Sequence, residues 1–134
     1  MTAKISIHEG RKLLRASATV RKVKRDYKRE FLNQLHLAGL PQPQAEYIFA
    51  LPRRWRFDWV IHPETFKIAI EYQGGNYTGA VGGHKTIKGL RNDYAKFTEA
   101  ALGGWMLILI DSESVRDGRA LAWVERALRA RLKP

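Results

Sequence analysis

Arg54-Trp55-Arg56-Phe57-Asp58-Trp59-Val60-Ile61 and, after a turn at His62-Pro63-Glu64-Thr65, Phe66-Lys67-Ile68-Ala69-Ile70-Glu71-Tyr72-Gln73 are the two stretches on which the fold turns. Both are rich in aromatic and β-branched residues, so they read as strands over 55–61 and 66–73. In the second, alternation sends Ile68, Ile70 and Tyr72 to one face and Lys67, Ala69, Glu71 and Gln73 to the other. Neighbouring strands run about 4.8 Å apart. Asp58 on one strand and Glu71 on the next can therefore meet.

Working outward, Ala45 to Ala50 reads as a preceding strand, joined to the first stretch through Pro52-Arg53-Arg54. Downstream, Gly74-Gly75-Asn76 and Gly79 through Gly83 make a glycine-rich loop. A helix is expected from Thr86 to Leu102, with Ile87, Leu90, Tyr94, Phe97 and Ala101 as its apolar stripe and Gly103-Gly104 as its stop. Trp105 to Ile110 lacks alternation, which predicts a central strand buried on both faces. A last helix is expected from Asp117 to Leu132, packing through Leu121, Val124, Leu128 and Leu132. At the other end, Val20, Val23, Tyr27, Phe31 and Leu35 recur every three or four residues, and Ala38-Gly39 with Pro41 and Pro43 ends that helix. Ser17-Ala18-Thr19 is a natural interruption near its start. The order α-β-β-β-α-β-α describes an α/β fold, a mixed sheet flanked by helices, within one domain of residues 1–134.

The chain of 134 residues carries 24 Lys plus Arg against 13 Asp plus Glu, a net charge of +11. Residues 1–39, the basic helical segment, hold ten bases against three acids, so most of the excess lies there. A polyanion such as nucleic acid is the partner this implies, because neutralised phosphates release counterions. Arg21, Lys22, Lys24 and Arg25 on the basic helix, and Arg53, Arg54 and Arg56 before the Asp58 strand, are the candidate phosphate contacts. With no cysteine, disulfides, thiolate zinc sites and thiol nucleophiles are excluded. No apolar run approaches the ~20 residues of a membrane span, so no membrane role is expected. Met1 to Gly10 has no secretory-signal core, so a cytoplasmic protein is expected. The glycine loop lacks a Gly-Lys-Ser/Thr end, so no nucleotide cofactor is expected.

Two carboxylates at one point suit a hard divalent cation, Mg²⁺ or in its place Mn²⁺, which takes oxygen ligands and retains waters. Such an ion activates water and screens charge on a scissile phosphodiester. The helix after the glycine loop can lean Lys96 toward the same point, adding a cation for the transition state. His84, in the loop, is a candidate phosphate contact or proton carrier. His8, His36 and His62 have no partners at metal-ligand spacing.

With its element order, and with Arg54 to Trp59, Ile70-Glu71-Tyr72-Gln73-Gly74-Gly75, Gly83-His84 and Lys96 through Trp105, the chain resembles the PD-(D/E)XK nuclease superfamily. The similarity extends to its small phage-type members, some of them Holliday junction resolvases. The resemblance covers roughly residues 28–111 and implies a restriction-endonuclease-like core and a metal-dependent DNA endonuclease, a homodimer where it resolves four-way junctions. It implies Asp58 and Glu71 as metal ligands. Phe57 stands where the motif has proline, and Gln73 where it has lysine. Glutamine can hold the metal or a water through its carbonyl oxygen but supplies no positive charge. Lys96 is the candidate replacement, with Lys85 and Lys88 as alternatives. Either Glu30 or Glu46 can complete the acidic set. Junction cleavage, cutting of duplex or flap DNA as in a repair or restriction enzyme, and DNA binding without catalysis are the readings that follow.

A basic domain of this kind should bind DNA with strong salt dependence. If about six cations neutralise phosphates, affinity should drop about 10³-fold between roughly 50 and 200 mM salt. Anisotropy titrations of a labelled duplex at several ionic strengths test this; a flat profile would remove the electrostatic basis of the reading.

Overall fold

The computed structural model describes residues 24–74 and 87–133. Asp26 opens the first helix, α1 (Tyr27–Leu37), by accepting a hydrogen bond from the Arg29 backbone N–H at 3.1 Å. This satisfies one of the donors that every helix start leaves unpaired. Phe31 and Leu35 of its apolar stripe are fully buried. Gly39, at φ +70°, turns the chain out of the helix in a left-handed conformation that favours glycine. The expected helical residues before Lys24, including Arg21 and Lys22, lie outside the described residues.

Strands β1 (Gln44–Ile48), β2 (Arg56–Ile61) and β3 (Ile68–Tyr72) pair antiparallel in sequence order. The chain then forms α2 (Ile87–Leu102) and returns as β4 (Met106–Ile110), parallel to β3. The mixed α/β architecture is the expected one, with strand ends displaced by one or two residues. One placement is corrected. Among the described residues Trp105 to Ile110 does not form a central strand: β4 is the sheet's edge, in the order β1-β2-β3-β4, and Leu109 is 44% exposed. Its uninterrupted apolarity reflects burial against helices at Ile108 and Ile110, and a surface groove elsewhere. That groove, of about 570 Å³, runs along Met106 to Leu109 beside Trp123, Arg126, Ala127 and Ala130.

The two faces of the sheet are packed unequally. On one, Trp59, Ile61, Ile68, Ile70, Ile108 and Ile110 meet Phe31 and Leu35 of α1. The same cluster includes residues of the last two helices, α3 (Ser112–Arg116) and α4 (Arg119–Leu132). Helix α3 is separate from α4, where periodicity alone predicts one helix from Asp117. Its signal is a capping box in which the Asp111 carboxylate accepts the Ser114 N–H at 2.8 Å while Ser114 Oγ accepts the Asp111 N–H at 2.9 Å. Gly118 separates it from α4, whose buried residues are Ala120, Val124, Ala127 and Leu128. The expected packing residue Leu132 is exposed instead, and Leu121 is half-buried. The other face carries a smaller cluster of Phe57, Val60, Ala69 and Ala100, ringed by Tyr47, Phe49, Trp105 and Leu107.

The helix over that smaller face is rotated from its expected orientation. Ile87, Leu90, Tyr94 and Ala101 of the predicted stripe are exposed, whereas Asp93, Lys96, Phe97 and Ala100 turn inward. Burying a lysine in place of a leucine requires a counter-charge beneath it. Among the described residues no helix is long and apolar enough to cross a membrane.

The edge placement of β4 makes a prediction. Ile70→Ala, at a fully buried position, should cost about 3 kcal/mol, whereas Leu109→Ala should cost under about 1 kcal/mol. Urea unfolding of the two variants checks it; equal losses would mean that Leu109 is buried like a central-strand residue.

Candidate active site

The charge beneath Lys96 belongs to Glu71. Lys96 Nζ lies 2.8 Å from Glu71 Oε1, with both side chains largely shielded, at 15% and 11% exposure. The register Trp59↔Ile70, Val60↔Ala69, Ile61↔Ile68, carried on by one pair, sets Asp58 opposite Glu71. There the backbone ladder gives way to side chains. The Asp58 backbone N–H donates to Glu71 Oε1 at 3.2 Å, and the Tyr72 backbone N–H donates to Asp58 Oδ2 at 2.7 Å. Each strand's carboxylate thus satisfies a backbone donor of the other.

The strand itself bends to allow this. Strict alternation would place Phe57 on the same face as Trp59, yet Phe57 packs with Val60 in the opposite cluster. The pleat is interrupted at Asp58. Phe57 then lies beneath Lys96, its ring centre 5.7 Å from the ammonium, and stacks on Phe49 at 4.0 Å. Phe57 therefore gives the ammonium an aromatic floor, a contact that its position one residue before Asp58 did not disclose.

Burial raises the Glu71 pKa, and the Asp58 charge adds to the rise, while Lys96 opposes both. Excess negative charge on two adjoining carboxylates is the electrostatic condition a divalent cation relieves. One oxygen of each carboxylate is engaged in the reciprocal bonds, and each group has a second oxygen. Asp58 and Glu71 are thus chemically suited to hold Mg²⁺ or Mn²⁺ as a two-carboxylate site that leaves coordination positions to water and phosphate. Among the described residues no group of three His, Asp or Glu side chains converges as a metal cluster.

The remaining candidates are distributed as follows. The Gln73 backbone N–H donates to the Ile110 carbonyl at 2.7 Å, and the residue borders a hollow of about 300 Å³ with Asp111, Arg119 and Trp123. Glu30 is paired with Arg25 at 2.6 Å. Glu46 stands on β1 at the register position opposite Asp58, between the pairs Ala45↔Trp59 and Tyr47↔Phe57. Its backbone is left-handed, at φ +57°, and its carboxylate reaches Arg56 at 3.3 Å. Of the two alternative acids, the register brings Glu46 to the site's strand and α1 points Glu30 to Arg25. Lys88 is exposed on α2, eight residues before Lys96 and so about 12 Å from it along the axis. Arg53 and Arg54 are exposed in the β1–β2 turn, with the Arg53 guanidinium 4.7 Å from the Trp55 ring. Lys24 and Arg25 are exposed just before α1. His84 and Lys85 lie outside the described residues.

Removing Lys96 isolates a partly buried carboxylate. Lys96→Met should lower stability by about 2 kcal/mol at neutral pH. The Glu71 pKa, already raised, would rise further without the ammonium. The loss is then full above that raised value and fades as pH falls through it, vanishing below the ordinary carboxylate range, where Glu71 is protonated in both folded and unfolded states. Urea unfolding at pH 7.5 and pH 4.5 measures this; a loss independent of pH would dissociate Lys96 from Glu71.

No protein-family model and no curated protein sequence matches the chain. Among solved structures, the chain is similar to the "Homing Endonuclease I-Bth0305I Catalytic Domain", with a TM-score of 0.61 at 14% identity over 82% of this chain and 100% of that one. The two share a fold: a mixed sheet flanked by helices, as found in that nuclease domain.

Proposed function

We propose that the protein is a divalent-metal-dependent, structure-selective DNA endonuclease that hydrolyses phosphodiesters, with four-way junctions as its substrate and a homodimer as its working form. The observation that carries the reading is the Asp58–Glu71–Lys96 constellation, two carboxylates exchanging backbone bonds across adjacent strands with an ammonium 2.8 Å from one of them. The likeness to an endonuclease catalytic domain and the net charge of +11 support it. Resemblance to the PD-(D/E)XK superfamily supplies the junction preference and the dimer. A two-fold dimer would present two such sites to opposed strands, which accounts for paired nicks.

In this reading Asp58 and Glu71 hold the cation, with Gln73 as a neutral neighbour that can orient a water through its amide. When bound, the ion lowers the pKa of water and offsets charge on the phosphate. Lys96 stands beside the anionic oxygens, where a fixed positive charge favours the transition state over the ground state. The exposed cations Lys24, Arg25, Arg53, Arg54 and Arg56 hold the backbone without reading sequence.

The test is cleavage of a labelled four-way junction beside a linear duplex of the same sequence, by wild type, Asp58→Asn and Lys96→Met, in Mg²⁺ and in EDTA. Symmetric junction nicks should vanish in Asp58→Asn and in EDTA, and fall about 10²-fold or more in Lys96→Met with DNA affinity retained. Equal cutting of junction and duplex would replace junction resolution with a repair or restriction type of activity. If wild type binds both substrates and cuts neither in Mg²⁺ or Mn²⁺, the protein binds DNA without catalysis.

A further inference from the structure

At the end of β3, one residue beyond Glu71, Tyr72 turns to the opposite face and walls a cleft of about 700 Å³ against the start of α1. The cleft falls in the ~300–1,000 Å³ range of sites that take a small ligand or a single residue of a polymer. Lys24, Arg25, Tyr27 and Lys28 line it with Tyr72 and Gly74. Asp26, the acid among its lining residues, is tied to the helix through the Arg29 N–H. Arg25 is partly neutralised by Glu30 at 2.6 Å and sits 4.8 Å from the Tyr27 ring centre. Lys28, exposed, holds its ammonium 5.7 Å from the Tyr72 ring and 6.0 Å from that of Trp59. Trp59 is buried in the core, so among the described residues the two tyrosines are the rings the cleft can offer to a planar group.

We infer that this cleft takes an unpaired nucleotide of the DNA that the enzyme binds, its base against Tyr27 and Tyr72 and its phosphates on Lys24 and Lys28. The inference rests on the endonuclease reading and names the feature of the substrate that the enzyme selects. Aromatic faces beside cations are the combination that binds single strands regardless of sequence, because every base has a π-face. A base stacked within a duplex has no free face to give, so a branched or locally opened strand fits the cleft and intact duplex does not. Proximity is built into the chain. Tyr72 directly follows Glu71 at the end of β3, so the cleft and the carboxylates share one end of the sheet while their side chains leave it on opposite faces. The Tyr72 backbone is also fixed by the Asp58 carboxylate at 2.7 Å.

The experiment is done in EDTA, so it requires no cleavage. Labelled dT8 is compared with an eight-nucleotide strand of the same charge in which the central bases are abasic, and with a 20-base-pair duplex, by anisotropy. Wild type should bind dT8 about tenfold more tightly than the abasic strand. Tyr27→Leu, which keeps an apolar group on the core, should lose that preference while its duplex affinity stays within about twofold. Tyr27→Phe should restore the preference. Equal wild-type affinity for dT8 and the abasic strand overturns the proposal without recourse to any variant, since the cleft would then hold phosphate alone. So does a base preference that survives in a folded Tyr27→Leu. If the preference is found but the protein cuts no DNA in Mg²⁺ or Mn²⁺, the endonuclease reading fails and nucleotide binding by the cleft stands.

Discussion

Two backbone-to-carboxylate hydrogen bonds, Asp58 N–H to Glu71 Oε1 and Tyr72 N–H to Asp58 Oδ2, hold the place where β2 and β3 stop pairing as an ordinary ladder. Buried backbone donors must be satisfied, and here side chains from opposite strands do it. The sheet can therefore carry two acids at one point without leaving a polar group unpaired. The interrupted pleat that sends Phe57 beneath Lys96 occurs at this point, as does the raised pKa of Glu71.

Helix α2 shows how that constraint spreads. By apolar content alone, the helix should lie on Ile87, Leu90, Tyr94, Phe97 and Ala101. It lies on Asp93, Lys96, Phe97 and Ala100, because Glu71 is a buried charge that needs a partner more than the small cluster around Val60 and Ala69 needs another leucine. An unpaired charge in such a place costs several kcal/mol, beyond the roughly 2 kcal/mol from burying one aliphatic side chain. The opposite face has no such demand, and there the sequence periodicity of α1 is obeyed at Phe31 and Leu35. Stability is concentrated on that face, and the charged residues of the site on the other.

Most of what is legible in the sequence lies between Arg54 and Gln73. Alternation in Phe66 to Gln73 assigned Ile68, Ile70 and Tyr72 to one face and Ala69 and Glu71 to the other, which is how they lie. That Asp58 and Glu71 can meet is legible in strand adjacency, and that Lys96 can approach them in the placement of the next helix. Illegible were the edge position of β4, the separate helix α3, and the cleft at Tyr27 and Tyr72. An apolar run has the same composition whether strands or helices cover it. The cleft joins residues some 45 positions apart that no local pattern connects.

By itself the sequence determined the order of the four strands and the three longer helices, the excess of positive charge, and the residue types available for chemistry, because these follow from local periodicity and composition. Only the tertiary structure decided which of those residues meet. Strand order put β4 at an edge, register set Asp58 opposite Glu71 and Glu46 opposite Asp58, and the rotation of α2 chose Lys96 in place of the apolar stripe. The physical reason is that periodicity fixes a face only relative to its own element. Which neighbour that face meets is settled by the whole molecule burying its apolar area and pairing its buried charges at once.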